Sequence, residues 1–172
     1  MARPYRPLVG LVIAIVLLAH GASPTTGQRD GNRLRAADTE AALQESGRRD
    51  LAGPPGSWVM RISAGPSAFV DAAGHRWQRD IGYQGGRTAV TSAPIEGTSS
   101  PTIYQHERWG MRAYTLPVPA PGTYAITLYL AETRFSRPGQ RVFDVSAEGE
   151  VKASDIDIVA GVAKNHAHHV SF

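Results

Sequence analysis

The sequence predicts an all-β fold, a β-sandwich, on three observations. Short β-branched or aromatic runs recur from Trp58 onward, separated by Gly, Pro, Asn or Ser. The clearest, Thr123 to Thr133, alternates: Tyr124, Ile126, Leu128 and Leu130 share one face, and Ala125, Thr127, Tyr129 and Ala131 the other. No amphipathic helix of useful length interrupts these runs.

Taken in order, the chain begins with Arg3 and Arg6, an apolar stretch from Leu8 to Ala19, and then the small residues Gly21 and Ala22. That is the order of a secretory signal peptide, expected over residues 1–22 with a cut after Gly21. It places the mature chain outside the cytoplasm, secreted or on the extracellular face of the cell envelope. The alternative is an uncleaved N-terminal helix that anchors the chain to a membrane, although twelve apolar residues are short for a span.

Residues 23–57 contain no aromatic side chain and are rich in Gly, Pro, Ser, Ala, Arg and Asp, so they read as a disordered linker. Apart from Tyr5, every Trp, Tyr and Phe lies at or beyond Trp58, so residues 58–172 hold the only core the sequence supports. Further strands are expected at Trp58 to Ser63, Thr102 to His106, Arg112 to Pro117, Arg141 to Ala147, Val151 to Ile158 and Ala167 to Phe172. The last of these stops inside an apolar run, which reads as a domain incomplete at its C-terminus.

Composition excludes several functions. Cysteine is absent, so disulfides, thiolate metal sites, Cys nucleophiles and a lipidated Cys are ruled out. The net charge of +3 arises without any basic tract that could follow a phosphate backbone, so nucleic acid is not an expected partner. No nucleophile elbow, zinc-protease helix or phosphate-binding loop is present, and no cofactor is implied.

Two clusters of polar residues are candidates for chemistry. Glu107 and Glu132 are the one carboxylate pair suited to glycoside hydrolysis, which needs two carboxyls about 5 to 10 Å apart. Glu132 continues the inward face of Thr123 to Thr133, so it is expected to be buried and partnered, for example by Arg108, and structural rather than catalytic. Asp155, Asp157, His166, His168 and His169 lie close in sequence, with the two Asp on one strand face. They make no complete ligand set, and no metal is expected.

Gly82, Gly85 and Gly86 flank Tyr83 in a Gly-Tyr-x-Gly-Gly segment that lacks the strand-loop-helix context of a nucleotide cradle. It reads as a turn in which Tyr83 stands out, offering a flat ring and a hydroxyl. Of Trp77, Tyr104, Trp109, Tyr114 and Phe135, most are expected in the core and about a third at a groove.

Five segments together carry a family resemblance: Arg61-Ile62-Ser63-Ala64-Gly65, Asp80 to Gly86, Ile103 to Gly110, Ala131-Glu132-Thr133-Arg134-Phe135, and Gln140-Arg141-Val142-Phe143-Asp144-Val145. In order and spacing they resemble the malectin domain, over roughly residues 58–172. The resemblance implies a jelly-roll-like, galactose-binding-like sandwich that binds carbohydrate and performs no catalysis, the animal member binding di-glucosylated glycans. By motif, its sugar contacts fall here on Tyr83, Trp109, Arg134 and Phe135. Trp109 stands where the animal protein has Tyr, and Arg134 replaces an aromatic. The family's last strands, with an acidic sugar contact, have no counterpart before Phe172.

The expected partner is therefore an oligosaccharide or glycan, glucose-containing on the resemblance and held by aromatic stacking. A protein-interaction or structural module of the envelope is the first alternative, and a hydrolase using Glu107 and Glu132 the second.

Overall fold

A computed structural model describes residues 58–172 and, nearer the N-terminus, the backbone of residues 11–12 and 14–19. The linker expected over 23–57 lies outside the described residues, as does most of the segment expected as a signal peptide.

The described chain is an all-β sandwich. Its strands are β1 (Leu11–Val12), β2 (Ala14–Ala19), β3 (Val59–Ser63), β4 (Phe69–Val70), β5 (Arg76–Trp77), β6 (Tyr83–Val90), β7 (His106–Tyr114), β8 (Tyr124–Leu130), β9 (Phe143–Ala147), β10 (Glu150–Ile156) and β11 (His168–Ser171). A one-turn helix, α1 (Ile158–Gly161), follows β10. Among the described residues no helix is long and apolar enough to cross a membrane.

The larger sheet runs β11-β8-β2-β3. Its register follows from the alternation along β8, because a slip of one residue would turn Leu128 and Leu130 to the other face. Leu130 lies opposite His168 and Leu128 opposite Val170. On the other edge of β8 runs β2, antiparallel to both neighbours, with Ile15 in register with Leu128 and Ile62, and Leu17 with Ile126 and Met60. Part of the N-terminal apolar stretch thus supplies backbone to the middle of the sheet.

The second sheet runs β1-β7-β6, and β9 and β10 form a separate hairpin. One core joins the elements: Ile62 from β3, Trp77 from β5, Leu128 and Leu130 from β8, Phe143 from β9, and Ile158 from α1. Beneath it lies an aromatic stack in which Trp77 meets Tyr129 edge-on and Phe69 face-on. The Trp77 indole donates to Asp71 at 2.9 Å, so its one polar group is satisfied.

Three expectations on the elements need correction. Thr102 to His106 is not a strand: Pro101–Ile103 forms a 3-10 turn, favoured by Pro at its first position, and β7 starts only at His106. The segment around Tyr83, expected as a turn, is the start of β6, the edge strand of the second sheet. The strand expected to reach Ile158 ends at Ile156, because Asp157 caps α1 by accepting from the Ala160 amide.

Candidate functional site

Tyr83 opens β6 and is 45% exposed. The strand pairs with β7 from Tyr83–Tyr114 to Val90–His106, with an irregularity between Gln84 and Gly85. Gly82 and Gly86 make this close pairing possible. Both have φ near +80°; a Cβ at Gly82 would stand 2.5 Å from the Thr115 carbonyl oxygen, and one at Gly86 2.9 Å from the Met111 amide nitrogen. The glycines thus fit a twisted edge strand against its neighbour.

Arg108 lies beneath Tyr83. Its Nε donates to Asp80 Oδ2 at 2.6 Å and its Nη1 to the Gly85 carbonyl at 3.0 Å, while the guanidinium sits 3.5 Å from the centre of the Tyr83 ring. The Tyr114 hydroxyl donates to the other Asp80 oxygen at 2.9 Å. Burial together with the Asp80 charge pushes the Tyr114 hydroxyl far above its ordinary value. Burial is the largest single influence and works against the Arg108 charge, but the bond to Asp80, the Asp80 charge and the nearby Tyr114 and Tyr83 together outweigh it and raise the Arg108 pKa. One face of Tyr83 is therefore covered by Arg108, and a ligand could stack only on the other.

Trp109, the next residue along β7, is half-buried and pairs in register with Arg87, whose guanidinium is 5.8 Å from the indole centre. Glu107, two residues earlier, is buried and accepts from the Thr133 hydroxyl at 3.1 Å, which ties β7 to the segment after β8.

That segment is organised by Glu132, which is 1% exposed. Its Oε1 accepts from the backbone amides of Arg134 at 2.7 Å and Phe135 at 2.9 Å. Arg141 Nη1 stands 3.2 Å from Oε2, close enough for charge pairing though not aligned as a hydrogen bond. The partner of Glu132 is thus Arg141 and not Arg108, which Asp80 holds instead. Fixed in this way, Arg134 is exposed and Phe135 half-buried, with the guanidinia of Arg134 and Arg141 at 5.9 and 5.0 Å from the Phe135 ring.

Of the expected site residues, Trp109 lies two positions along β7 from Glu107, whose bond from Thr133 ties it to the segment carrying Arg134 and Phe135, whereas Tyr83 packs on Arg108, which strand alternation turns to the other face of β7 from Trp109. Trp77 and Tyr104 are buried in the core. Sequence reasoning missed Arg87, Asp80 and Arg141. The first would have been legible had β6 been read as a strand, because the β6–β7 register places it opposite Trp109.

The residues weighed as metal ligands go to separate partners. Asp157 caps α1 and accepts from the Gly139 amide, His166 pairs with Glu96 at 3.2 Å, and His169 Nε2 meets the Tyr104 hydroxyl at 2.5 Å. Burial, with Tyr129 nearby, pushes that hydroxyl up to about 12. Asp155 and Asp157 do not share a strand face, since β10 has ended before Asp157.

Comparison with known proteins gives one consistent result. The family model described as Malectin domain matches residues 58–172. Malectin of Homo sapiens is 32% identical over 124 residues, covering 68% of this chain and 42% of that protein. Malectin of Mus musculus is 32% identical over 124 residues (68% and 43%), and Malectin-A of Xenopus laevis 29% identical over 117 (64% and 42%). The chain thus spans less than half the length of these relatives. No solved structure matches.

Proposed function

The chain belongs to the malectin family through residues 58–172, and from that premise we propose that it is a non-catalytic carbohydrate-binding module for glucose-containing oligosaccharides or glycans. Tyr83, Trp109 and Phe135 present ring faces to the apolar side of pyranose units, and Arg134 with nearby backbone groups bonds their hydroxyls. The observation that carries this reading is the anchoring of the aromatic positions by buried charge. Asp80 with Arg108 braces Tyr83, and Glu132 with Arg141 braces Phe135, so both rings are held in place before a ligand arrives.

Both carboxylates weighed for hydrolysis are buried and already accept bonds within the fold, Glu107 from Thr133 and Glu132 from two backbone amides, which favours binding over catalysis. The order of charged, apolar and small residues over 1–22 supports a place outside the cytoplasm.

One observation favours a second reading, a protein-interaction module. Every residue of β6 is exposed and the strand lies at a sheet edge, where an extended segment of another protein could add a strand.

The test is a titration of the chain with maltose and nigerose, followed by amide NMR. Shifts are expected around Tyr83, Trp109 and Phe135, and Trp109→Ala should weaken binding by about 1 to 3 kcal/mol with the fold intact. An unchanged affinity would remove Trp109 from the site.

A further inference from the structure

All three aromatic rings of the site carry a guanidinium. Arg108 lies over Tyr83, Arg87 near Trp109, and Arg134 and Arg141 near Phe135. Two of these arginines are neutralised within the fold, Arg108 by Asp80 at 2.6 Å and Arg141 by Glu132 at 3.2 Å. The other two, Arg87 and Arg134, are exposed, and neither has a carboxylate partner among the described residues.

An arginine offers only donors, in a planar fork that matches a carboxylate or a sulfate. A neutral sugar hydroxyl both donates and accepts, and sites for neutral sugars need acceptors as well. The acidic side chains on these elements cannot supply them: Asp80 is 7% exposed at its side chain, and Glu107 and Glu132 are buried and already accept bonds. The carboxylates are thus engaged within the fold, and the side chains around Trp109 and Phe135 offer flat rings and two exposed guanidinia without a counter-charge among the described residues.

Building on the carbohydrate-binding reading, we propose that the ligand is an anionic sugar. It carries a carboxylate or sulfate group that Arg134, with Arg87 across the Trp109 ring, receives in a charge-assisted contact, while Trp109 and Phe135 stack on the ring that bears it. Arg134 is then the specificity-determining residue, and it is the position at which the sequence departs from the aromatic of the animal family member.

The test measures affinity by calorimetry for three matched disaccharides: one with a terminal glucuronate, the same with glucose in its place, and the same with a sulfated glucose. The acidic sugars are expected to bind about tenfold tighter than the neutral one, a preference that shrinks as salt rises. Arg134→Gln should remove most of the preference, bringing the affinities for the acidic sugars down towards that for the neutral one. The better of the two acidic ligands identifies the group recognised. If the neutral disaccharide binds as tightly as the acidic ones, or Arg134→Gln keeps the preference, the anionic-ligand proposal fails while the carbohydrate-binding reading stands. If none of the three binds, and neither maltose nor nigerose does, both fail.

Discussion

In the four-stranded sheet β8 meets its neighbours across Leu128 and Leu130, 4% and 0% exposed, with Met60 and Ile62 in the same core. Across β6 and β7 the contacts are of another kind: Arg108 bonded to Asp80 and to a backbone carbonyl, Tyr114 bonded to the same carboxylate, and an exposed outer strand. The first region is held by the removal of apolar surface from water, which needs no particular angle between partners. The second is held by a few directional, charged contacts that fix ring orientations. The difference teaches where the molecule keeps its stability and where it keeps its geometry, and the two should respond differently to mutation.

The sharpest way to break the contrast is to remove Asp80. Asp80→Ala leaves Arg108 buried without its counter-ion and the Tyr114 hydroxyl without its acceptor, a loss of about 3 to 5 kcal/mol of stability. The effect should also reach the site, because Arg108 would no longer be held beneath Tyr83. Denaturant unfolding measures the stability, and the Tyr83 and Trp109 amide shifts report the site. A loss of stability without any change at those amides would show that the ion pair serves the fold alone.

How much of this was legible depended on which force was at work. The core strands could be read because apolar burial leaves a period in the sequence: the alternation in Thr123 to Thr133 placed Leu128 and Leu130 correctly and put Glu132 on the inner side. The β6 strand could not be read, since Tyr83-Gln84-Gly85-Gly86-Arg87 has no buried residue to set a period and its glycines answer to the close approach of β7, a long-range contact with no local signature. For the same reason a buried partner for Glu132 could be required but not named. Arg108 and Arg141 are both plausible by charge, and only the fold decides which one arrives. Tyr83, Trp109, Arg134 and Phe135 were reached through family motifs, and the arginines around them through the structure.

The apolar region has its own test at β2. Val16 pairs with Arg61 of β3 on one side and Thr127 of β8 on the other, so Val16→Pro removes an amide donor from the middle of a sheet. The orphaned acceptor should cost about 1 to 3 kcal/mol, seen as a lower melting temperature and faster exchange of amides in β3 and β8. Asp30→Pro, in the segment expected as a linker, is the control. If Val16→Pro behaves like that control, the larger sheet draws its stability without β2, as it must if residues 1–22 are removed on export.

A smaller effect lies where the two kinds of contact meet, at β11. Burial holds His168 and His169 below the ordinary imidazole value, and for His169 the neighbouring His168 adds to the depression. Both groups therefore bind a proton more readily in the unfolded chain than in the folded one. The stability this contributes is complete above the unfolded value, about 6.5, and is lost as the pH falls through the lower folded value. His169 Nε2 also meets the Tyr104 hydroxyl, a contact in which either atom can donate while the ring is neutral; once protonated, Nε2 can only donate. The melting temperature should accordingly stay level from pH 8 to about 6.5 and decline below it. In His169→Gln, which keeps an acceptor but cannot titrate there, the decline should be shallower. An equal decline in the variant would assign the acid sensitivity to His168, which burial also depresses, and not to the His169 contact with Tyr104.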